Sequence, residues 1–203
     1  MDSRLRGNDD RLEYSALLQG IVVFESCAVA RGLGKMKQRI INIADIELPT
    51  RPAAYPAPSE RFDARSGQIA ARLGARKLGY NITAVPPGKR AFPFHNHRVN
   101  EEMFFVLEGS GSVRIGAETF PVRSGDVIAC PPGGPETAHQ IINTGTSELK
   151  YLAVSTQEMP EICDYPDSGK FLVTERQRNA DGSVSGFRHI GRPESAVDYW
   201  DGE

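Results

Sequence analysis

Histidine and cysteine are scarce in this chain, with four and three residues among 203, and tryptophan occurs once. The cysteines, Cys27, Cys130 and Cys163, are odd in number, and no pair has the spacing of a zinc knuckle or a redox CxxC motif. They read as reduced thiols of a cytoplasmic protein, not as a disulfide framework. A charge excess is also missing. The formal net charge is −2, and Lys and Arg are scattered instead of gathered in a stripe, which argues against a nucleic-acid partner. No apolar run approaches the ~20 residues that span a bilayer, so no membrane partner is expected. Between residues 80 and 155 there is no 3.6-residue apolar stripe, which removes helices from the centre of the chain.

What is present there is punctuation. Short apolar runs alternate with turn residues: Tyr80 to Val85 ends at Pro86-Pro87-Gly88, and Phe92 to His97 is followed by Met103 to Leu107 and then Glu108-Gly109-Ser110-Gly111. Further runs, Val113 to Ile115, Thr119 to Val122, Val127 to Cys130, His139 to Asn143 and Leu149 to Val154, are separated by Gly116, Ser124-Gly125-Asp126, Pro131-Pro132-Gly133-Gly134-Pro135 and Thr144-Gly145-Thr146. Strands this short at this spacing predict an all-β antiparallel sandwich or barrel over residues 80–155. A chain of this length buries enough apolar surface for one domain without disulfides.

The flanks read differently. Residues 1–35 are polar at first and carry a modest apolar patch, Ala16 to Phe24, broken by Gln19 and Gly20. Ala28-Val29-Ala30 has the form of a signal-cleavage site, but the mixed charges ahead of it and the broken apolar run do not suit a secretory signal. The competing expectation is a start at Met36, with DSRLRGND resembling translated intergenic repeat and residues 1–35 non-native or disordered. Residues 36–79 are expected to be an extended amino-terminal arm, since the prolines from Pro49 to Pro58 fix φ and remove amide donors, followed by an irregular stretch. Residues 156–203 are expected to be a short carboxyl-terminal extension packing on the barrel, with Asp164 to Gly169 as a turn, Phe171 to Thr174 as a strand, and Trp200 pinning the tail.

Three of the four histidines fall in one pattern, His95-x-His97-x4-Glu102, with His139 on a later strand. Because strand side chains alternate, His95 and His97 share a face. The predicted geometry places Glu102 at the head of an adjacent antiparallel strand, with Glu102, Phe104 and Val106 on one face. His139 then arrives from a second strand pair, and a barrel interior brings the four together. Three imidazoles and one carboxylate suit a single divalent metal ion. His189 reads as an ordinary surface or core histidine, Asn143 as closing a turn, and Cys130 as packing in its strand. Tyr80, Lys89, Arg90 and Arg98 lie near the motif in sequence without an assignable role.

Gly88 … His95-x-His97-x4-Glu102-x6-Gly109 resembles the first motif of the cupin superfamily, and Gly125-x5-Pro131-x-Gly133 … His139-x3-Asn143 is similar to the second. Extra residues between Gly88 and His95 and between Gly133 and His139 depart from the pattern, both in loops, where insertions are tolerated. The resemblance implies a double-stranded β-helix, or jelly-roll barrel, with an ion (Fe, Mn, Ni, Zn or Co) near its mouth held by His95, His97, Glu102 and His139. It also implies a homodimer joined through the arm before residue 80.

Four protein ligands on a six-coordinate ion leave two positions for water, dioxygen or a bidentate substrate. Such a site suits small metabolites with adjacent oxygens, and Phe92, Phe94 and Phe104 would wall it. The expectation is a metal-dependent enzyme (oxygenase, isomerase, lyase or decarboxylase) whose catalytic residues are not legible. Two alternatives are a non-catalytic module that binds a sugar or organic acid, and a structural metal that locks the barrel.

Overall fold

The computed structural model describes residues 38–50, 60–179 and 184–203, and places twelve strands among them. The segment 1–35, the start at Met36 and most of the proline-rich arm lie outside these residues. Strand β1 (Arg65–Gln68) and the one-turn helix α1 (Ala70–Leu73) lead into β2 (Leu78–Val85). Then come β3 (Asn96–His97), β4 (Glu102–Glu108), β5 (Ser110–Ile115), β6 (Glu118–Arg123), β7 (Val127–Cys130), β8 (His139–Ile142) and β9 (Leu149–Thr156). The chain closes with β10 (Glu161–Tyr165), β11 (Lys170–Arg178) and β12 (Val184–Gly191).

One sheet has the order β1-β2-β9-β4-β7, a second β6-β5-β8 and a third β12-β11-β10-β3, every pairing antiparallel. The second and third are joined where His95 and His139 bridge, each amide donating to the other's carbonyl at 3.2 and 2.7 Å. The outcome is the all-β jelly roll, two sheets closed face to face around one interior. Gly109 alone separates β4 from β5, where the chain leaves one sheet for the other. Its φ is +80°, and a Cβ there would run into the carbonyl of Glu148, so no other residue fits.

Alternation decides which side chains enter the barrel. Phe104 and Val106 of β4, Val113 of β5, Ile128 and Cys130 of β7, Ile141 of β8, and Leu149 and Tyr151 of β9 form one buried cluster. The opposite face of the larger sheet carries Tyr80, Ile82, Leu107 and Leu152, and is covered by Ile41, Ile46, Leu48, Ile69 and Leu73. Residues 60–79, aperiodic in sequence, thus supply an edge strand and a helical turn whose apolar side chains cap that face.

Three expectations need correction. Strand β4 is not hydrogen-bonded to the histidine strand: it lies between β9 and β7, while β3 pairs with β10. Glu102 therefore meets the histidines across the barrel interior, because β4 and β3 belong to facing sheets. The turn expected at Asp164 begins two residues later, as Asp164 and Tyr165 complete β10 and only Pro166–Ser168 turn. Trp200 does not pin the tail; it is 72% exposed and touches Tyr199 edge-on, 4.8 Å between ring centroids.

Candidate metal centre

Each histidine of the motif is held from behind. The segment carrying His95 is fixed by Phe94, buried beneath Arg114, whose Cζ lies 3.6 Å from the ring centroid. His95 Nδ1 sits 2.8 Å from the Pro93 carbonyl, and His139 Nδ1 lies 3.4 Å from that of Thr137. His97 Nδ1 faces Cys163 Sγ at 3.3 Å and Glu161 Oε2 at 3.4 Å. With all three Nδ1 atoms engaged by protein, the Nε2 atoms are left for the interior, the arrangement by which neighbouring acceptors orient ligating imidazoles.

Glu102 arrives opposite them. Its Oε2 is 3.0 Å from His139 Nε2 and 3.5 Å from His97 Nε2. One donor atom from each of His95, His97, Glu102 and His139 lies within 4.8 Å of the others. The His95 ring centroid is 5.1 Å from that of His97 and 4.7 Å from that of His139. The structure thus brings all four sequence-predicted side chains to one place. His97 Nε2 is buried there without a hydrogen-bond partner, a cost that a cation bound at this atom would remove. The donor set, three imidazoles and one carboxylate, fits a divalent ion of the borderline class.

The electrostatics agree with that fit. Burial, reinforced by His139 and His97, pushes the His95 pKa down to about 3, so this imidazole stays neutral and ready to donate its lone pair. Burial alone would lower His97 too, but contacts to Cys163, Glu102 and Glu161 outweigh it and hold the ring protonated when no cation is bound. Burial opposes ionisation of Glu102, and the hydrogen bond from His139 with the nearby charge of His97 overrides it, keeping the carboxylate charged. A bound ion would take over the role of the His97 proton.

Glu161 and Cys163 were not legible as site residues. Strand β10 sets Cys163 directly opposite His97, and the alternation Glu161-x-Cys163-x-Tyr165 turns all three toward the histidines. Glu161 is only 3% exposed and fully engaged: Oε1 accepts from Val99 N and Ile162 N, and Oε2 from Asn100 N and Asn100 Nδ2. Tyr165 stacks on His95 at 6.1 Å. The period-two pattern was the available signal, but only the pairing register reveals its partner.

The remaining nearby residues serve the frame. Asn143 closes its turn, donating to Val85 O and Ser147 O and accepting from Gly145 N. Arg98 pairs with Asp164 on the outer side at 2.9 Å, and Tyr80 packs outside the barrel. Phe104 lies 5.5 Å from the His139 ring, and Phe94 and Phe92 are buried and partly buried respectively. Cys130 packs in the core beside Glu102 in register, and burial pushes its thiol up to about 12.

Comparison with known families agrees with this architecture. The family described as Cupin domain matches residues 81–155. Residues 81–155 are a cupin domain. The chain is 39% identical over 71 residues to an uncharacterized protein of Methanocaldococcus jannaschii, covering 35% of this chain and 54% of the relative. It is 33% identical over 70 residues to an oxalate-binding protein of Thermotoga maritima, covering 34% and 54%. The aligned stretch thus spans about half the length of these two relatives. Among solved structures, a sugar phosphate isomerase of a cupin superfamily from Silicibacter pomeroyi superposes with a TM-score of 0.61 at 21% identity, over 80% of this chain and 98% of that one. A putative sugar phosphate isomerase from Acidithiobacillus ferrooxidans gives 0.57 at 23%, over 71% and 86%. At these identities the likeness is one of fold.

Proposed function

We propose that His95, His97, Glu102 and His139 hold one divalent metal ion (Fe, Mn, Ni, Zn or Co), and that the ion takes a small oxygen-rich metabolite as a chelate. The observation that carries this reading is the convergence of three imidazoles and the Glu102 carboxylate within 4.8 Å of one another, with His97 Nε2 buried and unbonded 3.5 Å from Glu102 Oε2. When bound, the ion supplies a Lewis acid with open positions for adjacent substrate oxygens. Cys163 and Glu161 hold His97 in one orientation, Phe104 packs near the ring of His139, and Glu102 supplies the one anionic donor of the set. The favoured activity is that of an isomerase, lyase, decarboxylase or oxygenase acting on that chelate.

A second reading, a module that binds the chelate without transforming it, is favoured by one observation. Glu161, the carboxylate beside the ligand set, is consumed by backbone, Asn100 and His97 contacts and is not free to move a substrate proton. The oxalate-binding relative lends support to this reading. The same proposal takes the unit as an arm over 36–79, a barrel over 80–155 and an extension over 156–203, working as a cytoplasmic homodimer.

Elemental analysis of untagged protein, beside His97→Ala, tests the site. Near-stoichiometric first-row metal, lost in a variant that keeps its β circular dichroism, supports it. Native protein that takes up no such metal after anaerobic loading overturns it.

A further inference from the structure

Most inward positions of the barrel are apolar, but those of β1, of β2 before Val85 and of the end of β9 are not. By alternation, the face that carries Val85 and Tyr151 also carries Thr83 and Asn81 of β2, Ser66 and Gln68 of β1, and Ser155 of β9. Pairing sets these in rows. Gln68 stands opposite Asn81, Asn81 opposite Ala153, and Ala153 opposite Phe104. One row closer to the barrel's end, Gly79, Ser155 and Glu102 are aligned. A Cβ on Gly79 would collide with the carboxamide of Gln157, which therefore lies over that position, its Nε2 3.2 Å from Ser155 Oγ.

A polar strip therefore runs along the barrel wall to the level of Glu102. Such a strip is costly unless its hydrogen bonds are met. At its deeper end they are: Ser66 Oγ lies 3.0 Å from Thr83 Oγ1, which donates to Asn81 Oδ1 at 2.8 Å. Toward Glu102 they are not. Among the described residues Gln68 Nε2 is buried with no partner, and the side chain of Asn81 makes one bond, accepted by its Oδ1. Two amide groups with unspent donors thus share the wall that leads to the candidate metal centre, Asn81 two strands and Gln68 three strands from the strand of Glu102. No lysine or arginine shares their face on β1, β2 or β9.

We infer that Gln68 and Asn81, backed by Thr83 and Ser66, form the recognition wall for the uncharged, hydroxyl-bearing part of the ligand whose chelating end sits at the metal. This rests on the metal-centred reading above and narrows its substrate class to polyhydroxylated acids or ketones, with no phosphate at this wall. Carboxamides suit hydroxyls because each both donates and accepts, whereas a phosphate at a wall without cations would be desolvated unpaired.

The test uses full-length protein loaded with manganese, its metal content measured, and calorimetric titration with two probes sharing one α-hydroxy-carboxylate head. Glycolate has the head alone; gluconate adds a chain of hydroxyls. Gluconate is expected to bind at least about tenfold more tightly, since unmade hydrogen bonds discriminate strongly in a built polar site. Asn81→Leu and Gln68→Leu should each erode that margin without changing glycolate binding or manganese content. Because Gln68 Nε2 has no partner to lose, Gln68→Leu keeps the test valid should Asn81→Leu fail to fold. Equal affinity for the two probes, a margin that survives Gln68→Leu, or tighter binding of 6-phosphogluconate than of gluconate would each overturn the inference. Protein that takes no manganese fails at the earlier reading, and the metal measurement separates that failure from this one.

Discussion

Replacing Glu161 by Gln should loosen the metal without touching any ligand. The native carboxylate offers Oε2 to His97 Nδ1, Asn100 N and Asn100 Nδ2, and Oε1 to Val99 N and Ile162 N. Every one of these neighbours can donate, so whichever way a carboxamide is turned, its own NH2 group faces donors. If it faces His97, the imidazole loses an anchor that aims Nε2 at the site. Changes to groups that orient a ligating histidine cost about 10–100-fold in metal affinity, or roughly 1.4–2.7 kcal/mol. If it faces Val99 and Ile162 instead, two bonds to an ionised acceptor are lost, about 3–6 kcal/mol of fold stability. Competition with a chromogenic chelator reads the first cost and urea unfolding of metal-free protein reads the second. At least one must appear. A variant within about twofold of the native protein in metal affinity, and equally stable, would show that Glu161 neither aims His97 nor holds the β3–β4 connection.

Two other outcomes are expected. In metal-free protein the contacts to Cys163, Glu102 and Glu161 raise the pKa of His97, so the proton is bound at neutral pH and must leave when an ion takes Nε2. Metal affinity should therefore climb as pH rises and fall as it drops, with about one proton released per ion; calorimetry in buffers of different ionisation heat measures that number, and heats independent of buffer would contradict it. Trp200, the one tryptophan and 72% exposed, should emit as a solvated indole and be fully quenched by acrylamide. A blue-shifted, protected emission would mean that something covers the tail.

The barrel was legible because its turns are chemical. Strand β7 ends at the Pro131-Pro132-Gly133-Gly134 run, and β4 must end at Gly109, where a positive φ carries the chain to the other sheet. The candidate ligands were legible because His95 and His97 obey the strand period, and Glu102, Phe104 and Val106 keep step on theirs. The partners of those strands were not legible. Glu102 meets the histidines across the interior and His139 meets His95 through the backbone, both of which are matters of register between distant segments. Glu161 and Cys163 were hidden because Asp164-Tyr165-Pro166 reads as the opening of a turn, whereas two of those residues finish a strand. Gln68 was hidden because β1 is four residues long and lies in a stretch without a period.

The mutual bridge of His95 and His139 has a consequence for the lifetime of the folded protein. Two sheet fragments meet at residues whose side chains point at the candidate metal, so an ion there would be a clasp across a seam. Opening that seam would require releasing the ion, and whatever free energy the ion gains in binding would be added to the cost of local unfolding. At a free concentration one hundred times its dissociation constant, that addition is about 2.7 kcal/mol. The cell's supply of metal would then govern how long the barrel survives proteolysis, quite apart from anything the site does to a substrate.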